Sequence, residues 1–244
     1  MTFAPVNSTG ALSYNSLGKL GGCWERTTKN TADAFTSSST INLNGDFTMA
    51  CWAYVTEAGA ETSANGLITN HRHQDSTGAG ITVKYVSATD ARISCNTGGG
   101  GSDSNRTYCT YYGTTNIYGA WHHLCLTFKK ATNTMSLWVD GVAENVFTYA
   151  QVGGNNPFNI FDWSTGHTSN GSYRPKCKLN DVRVYDHCLS TKEIKELAKG
   201  LILHYKLDGK NLAGNSNLLK NTSNPIDARD LVRSESVVFD EKLC

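Results

Sequence analysis

The stretch WHHLCLTFKKATNTMSLWVDGV, residues 121–142, has the pattern of two β-strands joined by a short turn. Trp121–Lys129 and Thr134–Asp140 are rich in aromatic and aliphatic residues, and the polar KATN between them is a turn signal. Asp140-Gly141 is a dipeptide that favours tight hairpin turns, so a third strand is expected in the VAENVFTY that follows. We therefore predict three consecutive antiparallel strands in this region.

The first of these strands also contains a cysteine and two histidines, which raises the question of a metal or redox site. Adjacent residues of a strand point to opposite faces of the sheet, so His122 and His123 cannot bind one metal ion together. The thiol of Cys125, placed within a strand, packs like a small apolar group. We interpret the stretch as ordinary β-sheet.

The chain has eight cysteines, and their spacing favours packing over chemistry. No C-x-x-C pair occurs, which removes the main support for a zinc ribbon or a thioredoxin-like motif. Because the N-terminal MTFAPVNSTGALS lacks the basic and apolar regions of a secretory signal peptide, we predict reduced, core-packed cysteines. Disulfides formed after release from a cell are the alternative. The cysteines are Cys23, Cys51, Cys95, Cys109, Cys125, Cys177, Cys188 and Cys244.

Composition narrows the class of protein further. Of the 244 residues, 39% are hydrophobic and 18% are charged, which leaves room for the Ser, Thr, Asn and Gly of a β-sandwich with long polar loops. The net charge of +1 implies no electrostatic attraction to nucleic acid, so no nucleic-acid partner is expected. The apolar runs are only a few residues long, so no membrane insertion is expected.

Further strands are predicted on both sides of the opening stretch. They are Lys19–Thr27, Phe47–Val55, Gly66–His71, Gly80–Val86, Ala91–Asn96, Phe158–Trp163, Cys177–Tyr185 and Leu201–Leu207. Phe47–Val55 has almost no polar residue in its second half, so both of its faces are predicted to be buried. Thr97–Gly119 contains a run of four glycines and is predicted to be irregular, and the rest of residues 1–30 is loosely patterned.

One helix is predicted near the C-terminal end. Ser190-Thr-Lys-Glu193 has the form of a capping box, in which Ser190 and Glu193 each bond the other's backbone N–H. Ile194, Leu197 and Ala198 give the helix one apolar face, which Gly200 is expected to end.

About a dozen short strands with a single helix predict an all-β fold, a two-sheet antiparallel jelly-roll sandwich with one short C-terminal helix. We assign residues 1–207 to the sandwich. Residues 208–244 begin with the polar DGKNLAGNSNLLKNTSNP and are assigned to a linker, a tail or the start of a further domain.

Three segments resemble, in order, motifs of laminin-G-like, concanavalin A-like lectin jelly rolls. NGDFTMACWAYV resembles the family's N-x-x-x-F-T-x-x-x-W-V strand, and WHHLCLTF…TMSLWVDGV resembles its W-H…Y-V-D-G strand pair. LNDVRVYDHCLSTKEIKEL is similar to its penultimate strand and terminal helix. The resemblance covers about residues 11–207 and implies the fold rather than a function, since one fold supports many functions.

The sequence is also similar to repeats of virion structural and tail proteins of bacteriophages, where segments like GLILHYKLDG end one sandwich before N-L-L-x-N-T-S. This resemblance implies a non-catalytic virion module made in the host cytoplasm, such as a capsid decoration, fibre or tail component. Its expected partners are other virion subunits, with a homo-oligomer, and host or mucosal glycans. The alternatives are a cell-surface or extracellular carbohydrate-binding adhesin and a glycoside hydrolase or lyase of the same fold.

Catalysis is not expected from the sequence. Glycoside hydrolysis requires two carboxylates about 5–10 Å apart, and no set of glutamates lies on one face of a predicted central strand. No G-x-S-x-G nucleophile motif, Walker motif or Rossmann glycine pattern occurs.

Two predicted loops, Arg106–Tyr118 and Trp163–Tyr173, combine aromatic and polar groups, the mixture that matches the apolar faces and hydroxyl rims of sugars. The alternative is that these aromatic residues pack the loops against the sandwich. The candidate ligand-binding residues are Tyr108, Tyr111, Tyr112, Tyr118, Trp163, His167 and Tyr173.

The family resemblance also implies a calcium ion at the sheet rim in some members, although no cofactor is required by the sequence. Such a site needs about six oxygen ligands. The loop acids Asp75, Asp103 and Asp162 are its candidates, without a D-x-D-x-D run to support them.

Overall fold

The computed structural model describes most of the chain up to residue 200 and two short strands beyond it. The described residues are 3–6, 9–31, 33–58, 65–72, 77–98, 106–149, 153–162, 174–200, 218–219 and 231–232. Side chains are described for all of these except 3–6, 106–109, 218–219 and 231–232. Within these ranges no helix has the length and apolar character needed to cross a bilayer.

Fourteen of the described strands form two antiparallel sheets of seven strands each, as expected for a jelly-roll sandwich. In chain order the strands are β1 (Phe3–Val6), β2 (Leu12–Gly18), β3 (Gly21–Arg26), β4 (Ala34–Asn42), β5 (Phe47–Glu57), β6 (Asn65–Thr69), β7 (Ala79–Ser87), β8 (Asp90–Gly98), β9 (Arg106–Tyr112), β10 (Trp121–Lys129), β11 (Thr134–Val139), β12 (Val142–Thr148), β13 (Asn155–Ile160) and β14 (Lys176–Tyr185). Leu218–Leu219 (β15) and Leu231–Val232 (β16) pair separately.

The front sheet has the order β12-β11-β10-β5-β14-β3-β2, and the back sheet has the order β1-β4-β13-β6-β7-β8-β9. Contacts across the sandwich place β10 against β7, β11 against β8 and β12 against β9. One open edge of the sandwich is therefore formed by β12 and β9. The other is formed on the front sheet by β2 and β3 and on the back sheet by β1 and β4.

The main core fills the space between the sheets with alternate side chains of facing strands. In β5, Phe47, Met49 and Cys51 point into this core, and across the ladder they pair with Phe128, Leu126 and Leu124 of β10. Because the side chains of a strand alternate between its two faces, a slip of one residue would turn this apolar set out of the core. The register of the front sheet is thus set by the apolar pattern.

A second, smaller core lies on the outer face of the front sheet, beneath helix α1 (Thr191–Lys199). Ala50 of β5 and Cys125 of β10 meet Leu189 and Ile194 there. This explains why β5 has few polar residues, since one face meets the back sheet and the other meets the helix. The predicted capping box is present, with the Ser190 hydroxyl accepting from the backbone N–H of Glu193.

The cysteines and histidines take the places that strand alternation predicts. The six cysteines whose side chains are described are free thiols, five of them buried. His122 bonds Asp140 at 2.7 Å, whereas His123 is 2% exposed and meets Trp52 edge to face at 5.5 Å. Burial lowers the pKa of His123 to about 4, against the weaker opposing effect of nearby carboxylates.

The strands around the opening stretch are confirmed, and so is the Asp140-Gly141 turn, in which both residues have positive φ. The prediction of an irregular segment at Thr97–Gly119 was wrong in part, because Arg106–Tyr112 pairs with β8. The predicted strand Phe158–Trp163 lies earlier, at Asn155–Ile160, since Phe161 adopts a left-handed backbone with φ +67°.

Besides β9, the strands β1, β2 and β4 of the two sheets and the short pair β15 and β16 were not predicted from the sequence. The predicted strand Leu201–Leu207 and the proposed domain boundary after it lie outside the described residues, so both stay predictions.

Candidate functional site

A cleft of about 530 Å³ opens at the edge of the sandwich where β2 and β3 lie. Its walls come from both sheets, with β2, β3 and β14 on one side and β4 and the end of β13 on the other. The residues that line it are mostly aromatic or aliphatic: Tyr14, Gly22, Cys23, Trp24, Phe35, Ile160, Phe161, Leu179, Asn180, Asp181 and Val182.

Two aromatic side chains at the mouth of the cleft are brought together by the β2–β3 hairpin. Tyr14 lies directly opposite Trp24 in the strand register, and their rings meet edge to face with centroids 6.1 Å apart. Trp24 in turn contacts Phe35 of the back sheet at 4.9 Å, again in a T-shaped arrangement. Aromatic pairs at these distances attract each other beyond simple burial of surface. The three rings therefore form a connected row that bridges the two sheets.

This row is unusually open to solvent for such large apolar groups. Tyr14 is 50% exposed and Trp24 is 43% exposed. Grouped exposed apolar side chains on a folded domain commonly mark a binding surface. The position of Tyr14 depends on Gly22, because a Cβ added at Gly22 would overlap the Tyr14 hydroxyl. The lack of a side chain at this position allows the Tyr14 ring to approach β3 closely.

The polar wall of the cleft is formed by a β-bulge in β14. Asn180 pairs with Trp52 and Arg183 pairs with Ala50, so two residues, Asp181 and Val182, lie opposite one residue of β5. Asp181 adopts φ +51°, a left-handed conformation that Asp and Asn tolerate better than most residues. A bulge of this kind changes the direction in which a side chain points, and here both bulged residues line the cleft.

The side chain of Asn180 is used within the protein. It donates to the carbonyl of Gly22 and accepts from the backbone N–H of Leu20 at 3.0 Å. These two hydrogen bonds attach the β2–β3 hairpin, which carries Trp24, to β14. Asp181 accepts from Arg183 Nε at 2.9 Å through Oδ1 alone. Among the described residues no donor lies within hydrogen-bonding distance of Asp181 Oδ2.

A buried arginine joins the two sheets behind the cleft. Arg26 of β3 is fully buried, and its Nη2 donates to the carbonyl oxygens of Asp33 and Phe161. Its guanidinium also lies 5.3 Å from the centre of the Phe161 ring. Burial lowers the pKa of Arg26 to about 10, so it stays protonated at neutral pH. The contact fixes Phe161, and with it the back wall of the cleft.

The tyrosines predicted as ligands from the sequence lie away from this cleft. Tyr111 is on β9, at the opposite edge of the sandwich, where its ring stacks on Phe147 with centroids 3.8 Å apart. Tyr112 is exposed, with Lys84 Nζ 5.2 Å from its ring. Tyr118 is partly buried against the main core, and burial raises the pKa of its hydroxyl. Within the described part of the chain these three rings therefore contact different neighbours.

The other predicted site residues are mostly outside the described part of the chain. These are Trp163, His167, Tyr173, Asp75 and Asp103, together with the side chain of Tyr108. Asp162 is described: it is buried, and its Oδ2 accepts from Arg174 at 3.0 Å, which compensates its charge within the protein. Among the described residues no group of three or more His, Cys, Asp or Glu side chains is placed to hold a metal ion.

Sequence reasoning missed Tyr14 and Trp24 as site residues, although Trp24 lies in a strand that was predicted. The signal available was an aromatic residue following the glycines of GGCW, since glycine next to an aromatic residue permits a ring to lie against the backbone. The partner strand β2 was not recognised, so nothing in the sequence placed Tyr14 opposite Trp24.

Comparison with known proteins agrees with the architecture. A sequence profile of the concanavalin A-like lectin/glucanases superfamily matches residues 28–195. No curated protein matches the sequence.

Among solved structures, the binding domain of Paraclostridial Mosquitocidal Protein 1 is similar with a TM-score of 0.54 and 13% identity, over 89% of this chain and 49% of that one. Domain 4 of AbnA, an extracellular GH43 arabinanase of Geobacillus stearothermophilus, in complex with arabinotriose, has a TM-score of 0.52 and 15% identity, over 80% and 87% of the chains. Botulinum neurotoxin type C, whose cell entry depends on two ganglioside molecules, has a TM-score of 0.53 and 10% identity, over 84% and 47%. The chain spans about half the length of the two toxin structures, and at these identities the likeness concerns the fold alone.

Proposed function

The chain belongs to the concanavalin A-like lectin/glucanase superfamily, and on that premise we propose that it is a non-catalytic carbohydrate-binding module whose ligand occupies the aromatic cleft. The observation that carries the proposal is the row of half-exposed rings, Tyr14 and Trp24, at the mouth of a cleft that also contains one carboxylate, Asp181. A pyranose ring has apolar C–H faces and a rim of hydroxyls. The aromatic rings of Tyr14 and Trp24 are suited to pack against the C–H faces of the sugar, and the Asp181 carboxylate is suited to accept hydrogen bonds from its hydroxyls.

Two of the similar structures agree with this class of ligand. One was solved with arabinotriose, and the other belongs to a toxin that interacts with gangliosides. These ligands belong to the similar proteins and not to this chain. They support carbohydrate as the class of ligand to test first for this chain.

We propose that the cleft binds a glycan rather than cleaves it, because of the number of carboxylates that line it. Most glycosidases place two carboxylates across the scissile bond. Asp181 is the one carboxylate among the described residues that line the cleft. A single carboxylate supplies a hydrogen-bond acceptor for a sugar hydroxyl but lacks the second group that would act as acid or nucleophile.

A glycan array with variants of the full chain tests the proposal. We expect the wild type to bind a subset of glycans, and the Trp24→Ala and Tyr14→Ala variants to bind those at least about tenfold more weakly, as is typical of central aromatic contacts. The control is Tyr112→Ala, which removes an exposed ring at the far edge of the sandwich and is expected to bind like the wild type. Circular dichroism verifies that each variant is folded. An array on which no glycan binds contradicts the function, and loss of binding in Tyr112→Ala alone contradicts the site.

The proposed binding needs no metal ion. We therefore expect EDTA to leave both glycan binding and Tm unchanged. A fall of several degrees in Tm on chelation, restored by calcium, would favour the calcium site predicted at Asp75, Asp103 and Asp162.

A second candidate function is the virion structural module that the sequence resemblance implies, with other subunits of the particle or copies of this chain as partners. The feature that supports it is on edge strand β12, where Val142 and Val146 are 61% and 59% exposed. Exposed apolar residues on an edge strand favour pairing with another chain. Light scattering coupled to size-exclusion chromatography tests self-association. We expect the Val146→Lys variant to dissociate the oligomer, and a wild type that is monomeric at every concentration would contradict the homo-oligomer.

A further inference from the structure

From the lining of the aromatic cleft we infer that its preferred sugar is a 6-deoxyhexose, which has a methyl group at the ring carbon where a common hexose has a hydroxymethyl group. The inference rests on the proposed carbohydrate-binding function and names the class of sugar for the same site. It is carried by the apolar interior of the cleft and by the bonding of the polar groups there within the protein.

The burial of the lining residues defines the depth of the cleft. The rings of Tyr14 and Trp24 are about half exposed and form its mouth. The other apolar lining side chains are first partly buried and then buried: Phe35, Ile160 and Val182, followed by Cys23, Phe161 and Leu179. A group of the ligand that reaches the buried residues therefore leaves water and meets mainly carbon.

The polar groups at this floor are already bonded within the protein. The backbone N–H of Phe161 donates to the carbonyl of Leu67 at 2.6 Å, and the Phe161 carbonyl accepts from Arg26 Nη2 at 2.6 Å. The thiol of Cys23 donates to the carbonyl of Leu17 at 3.9 Å. A hydroxyl that reached these residues would compete with hydrogen bonds that the fold has already made.

The remaining polar side chains of the wall lie together in the β14 bulge. Asn180 is bonded to the β2–β3 hairpin through both its amide nitrogen and its oxygen. Asp181 pairs with Arg183 through Oδ1, and its Oδ2 is the acceptor assigned above to a sugar hydroxyl. The hydroxyls of the ligand are therefore expected at the bulge and at the mouth, and its least polar group at the floor.

An apolar floor distinguishes a methyl group from a hydroxymethyl group. A hydroxyl buried there would give up its hydrogen bonds to water without replacing them, whereas a methyl group gains from burial. Discrimination by one such group in an apolar pocket is about tenfold or more. An N-acetyl group also carries a methyl, but its amide N–H and carbonyl need partners as well. The 6-deoxyhexose is thus the better fit.

The experiment uses methyl glycosides in pairs that differ only in the hydroxyl at C6: L-fucose with L-galactose, L-rhamnose with L-mannose, and 6-deoxy-D-glucose with D-glucose. Each competes with a glycan that binds on the array, and the concentration for half inhibition is measured. In at least one pair we expect the 6-deoxy member to inhibit at about tenfold lower concentration than its partner. We expect the methyl glycoside of N-acetylglucosamine to inhibit more weakly than that 6-deoxy sugar.

The Val182→Thr variant tests where the methyl group lies. Threonine has nearly the shape of valine and places a hydroxyl on the wall of the cleft, so we expect the ratio within the pair to fall to about threefold or less. Both residues are β-branched and suit a strand. The matched control is Val86→Thr on β7, outside the cleft and 43% exposed, which is expected to keep the wild-type ratio.

The outcomes separate this inference from the function on which it rests. Equal inhibition by both members of every pair, or stronger inhibition by N-acetylglucosamine, contradicts the preference for 6-deoxyhexoses but leaves glycan binding intact. So does a ratio that Val182→Thr leaves unchanged, or that Val86→Thr lowers equally. Absence of binding to every glycan, or binding that Trp24→Ala does not weaken, refutes the proposed function itself and this inference with it.

Discussion

Acid is expected to destabilise this protein through one buried histidine, and replacing that histidine should remove the effect. His123 lies on β10 with its ring against Trp52, and its backbone N–H donates to Asp140 Oδ1 at 2.8 Å. Burial lowers the pKa of its imidazole to about 4. The perturbation is His123→Phe, which keeps a flat ring at this position and removes the titrating group.

The magnitude follows from the difference between the folded and unfolded pKa values. The unfolded chain takes up a proton at His123 near the ordinary pKa of about 6.5, whereas the folded chain does so only near pH 4. The folded state therefore binds fewer protons between these values, and its stability falls as the pH falls. Relative to pH 7, the loss assigned to His123 is about 2 kcal/mol at pH 5 and about 3 kcal/mol at pH 4.

The assay is urea unfolding at pH 7, 5 and 4 for the wild type and for His123→Phe. Carboxylates also titrate in this range, so the informative quantity is the change with pH in the difference between the two proteins. We expect that difference to shift by about 3 kcal/mol in favour of the variant between pH 7 and pH 4. The matched control is Thr127→Val, a buried position on the same strand and the same face, which changes no titrating group.

Parallel pH profiles for the wild type and His123→Phe would refute this reasoning. They would mean that His123 takes up its proton in the folded state about as readily as in the unfolded state, despite its burial. A Thr127→Val profile that flattened in the same way would show instead that the acid effect belongs to the packing of this face.

Three further predictions concern the core, the helix and the cleft. Leu126→Ala, in the main core between the sheets, is expected to lower the free energy of unfolding by about 3 kcal/mol, measured by urea unfolding; a loss below about 1 kcal/mol would contradict tight packing there. Ser190→Ala should cost about 1 kcal/mol by removing the cap that accepts from Glu193, and an unchanged Tm would count against the cap. Gly22→Ala is expected to displace Tyr14 and weaken glycan binding severalfold with little loss of Tm, and unaltered affinity would argue that the Tyr14 position is unimportant.

Much of the front sheet could be predicted because its strands alternate strongly between core and surface or are apolar on both faces. β5 and the three strands from Trp121 to Thr148 are of this kind, and the helix carries its own capping signal. By contrast, β4 reads AFTSSSTIN and has too few apolar residues to stand out. It forms because β1 and β13 pair with it on either side, which is a long-range effect that local pattern does not contain.

The candidate cleft could not be predicted for a related reason. Its rings come from β2, β3 and β4, and their proximity depends on the register of one hairpin and on the packing of two sheets. Asp181 was visible in LNDVRVY, but the bulge that brings it to the cleft arises from the pairing of β14 with β5. The tyrosine-rich segment, in contrast, was conspicuous in composition, and one of its rings is packed against Phe147.

The strand order also determines when the molecule can assemble. β5 lies between β10 and β14, and β3 pairs with β14 as well, so the middle of the front sheet stays incomplete until residues near Tyr185 have been synthesised. Such distant pairings make folding slow, because the entropy of closing a long loop is lost before the stabilising contacts between the strands form. During translation the edges of β3 and β5 that will pair with β14 therefore stay unpaired. In that interval these edges are most exposed to aggregation with neighbouring nascent chains.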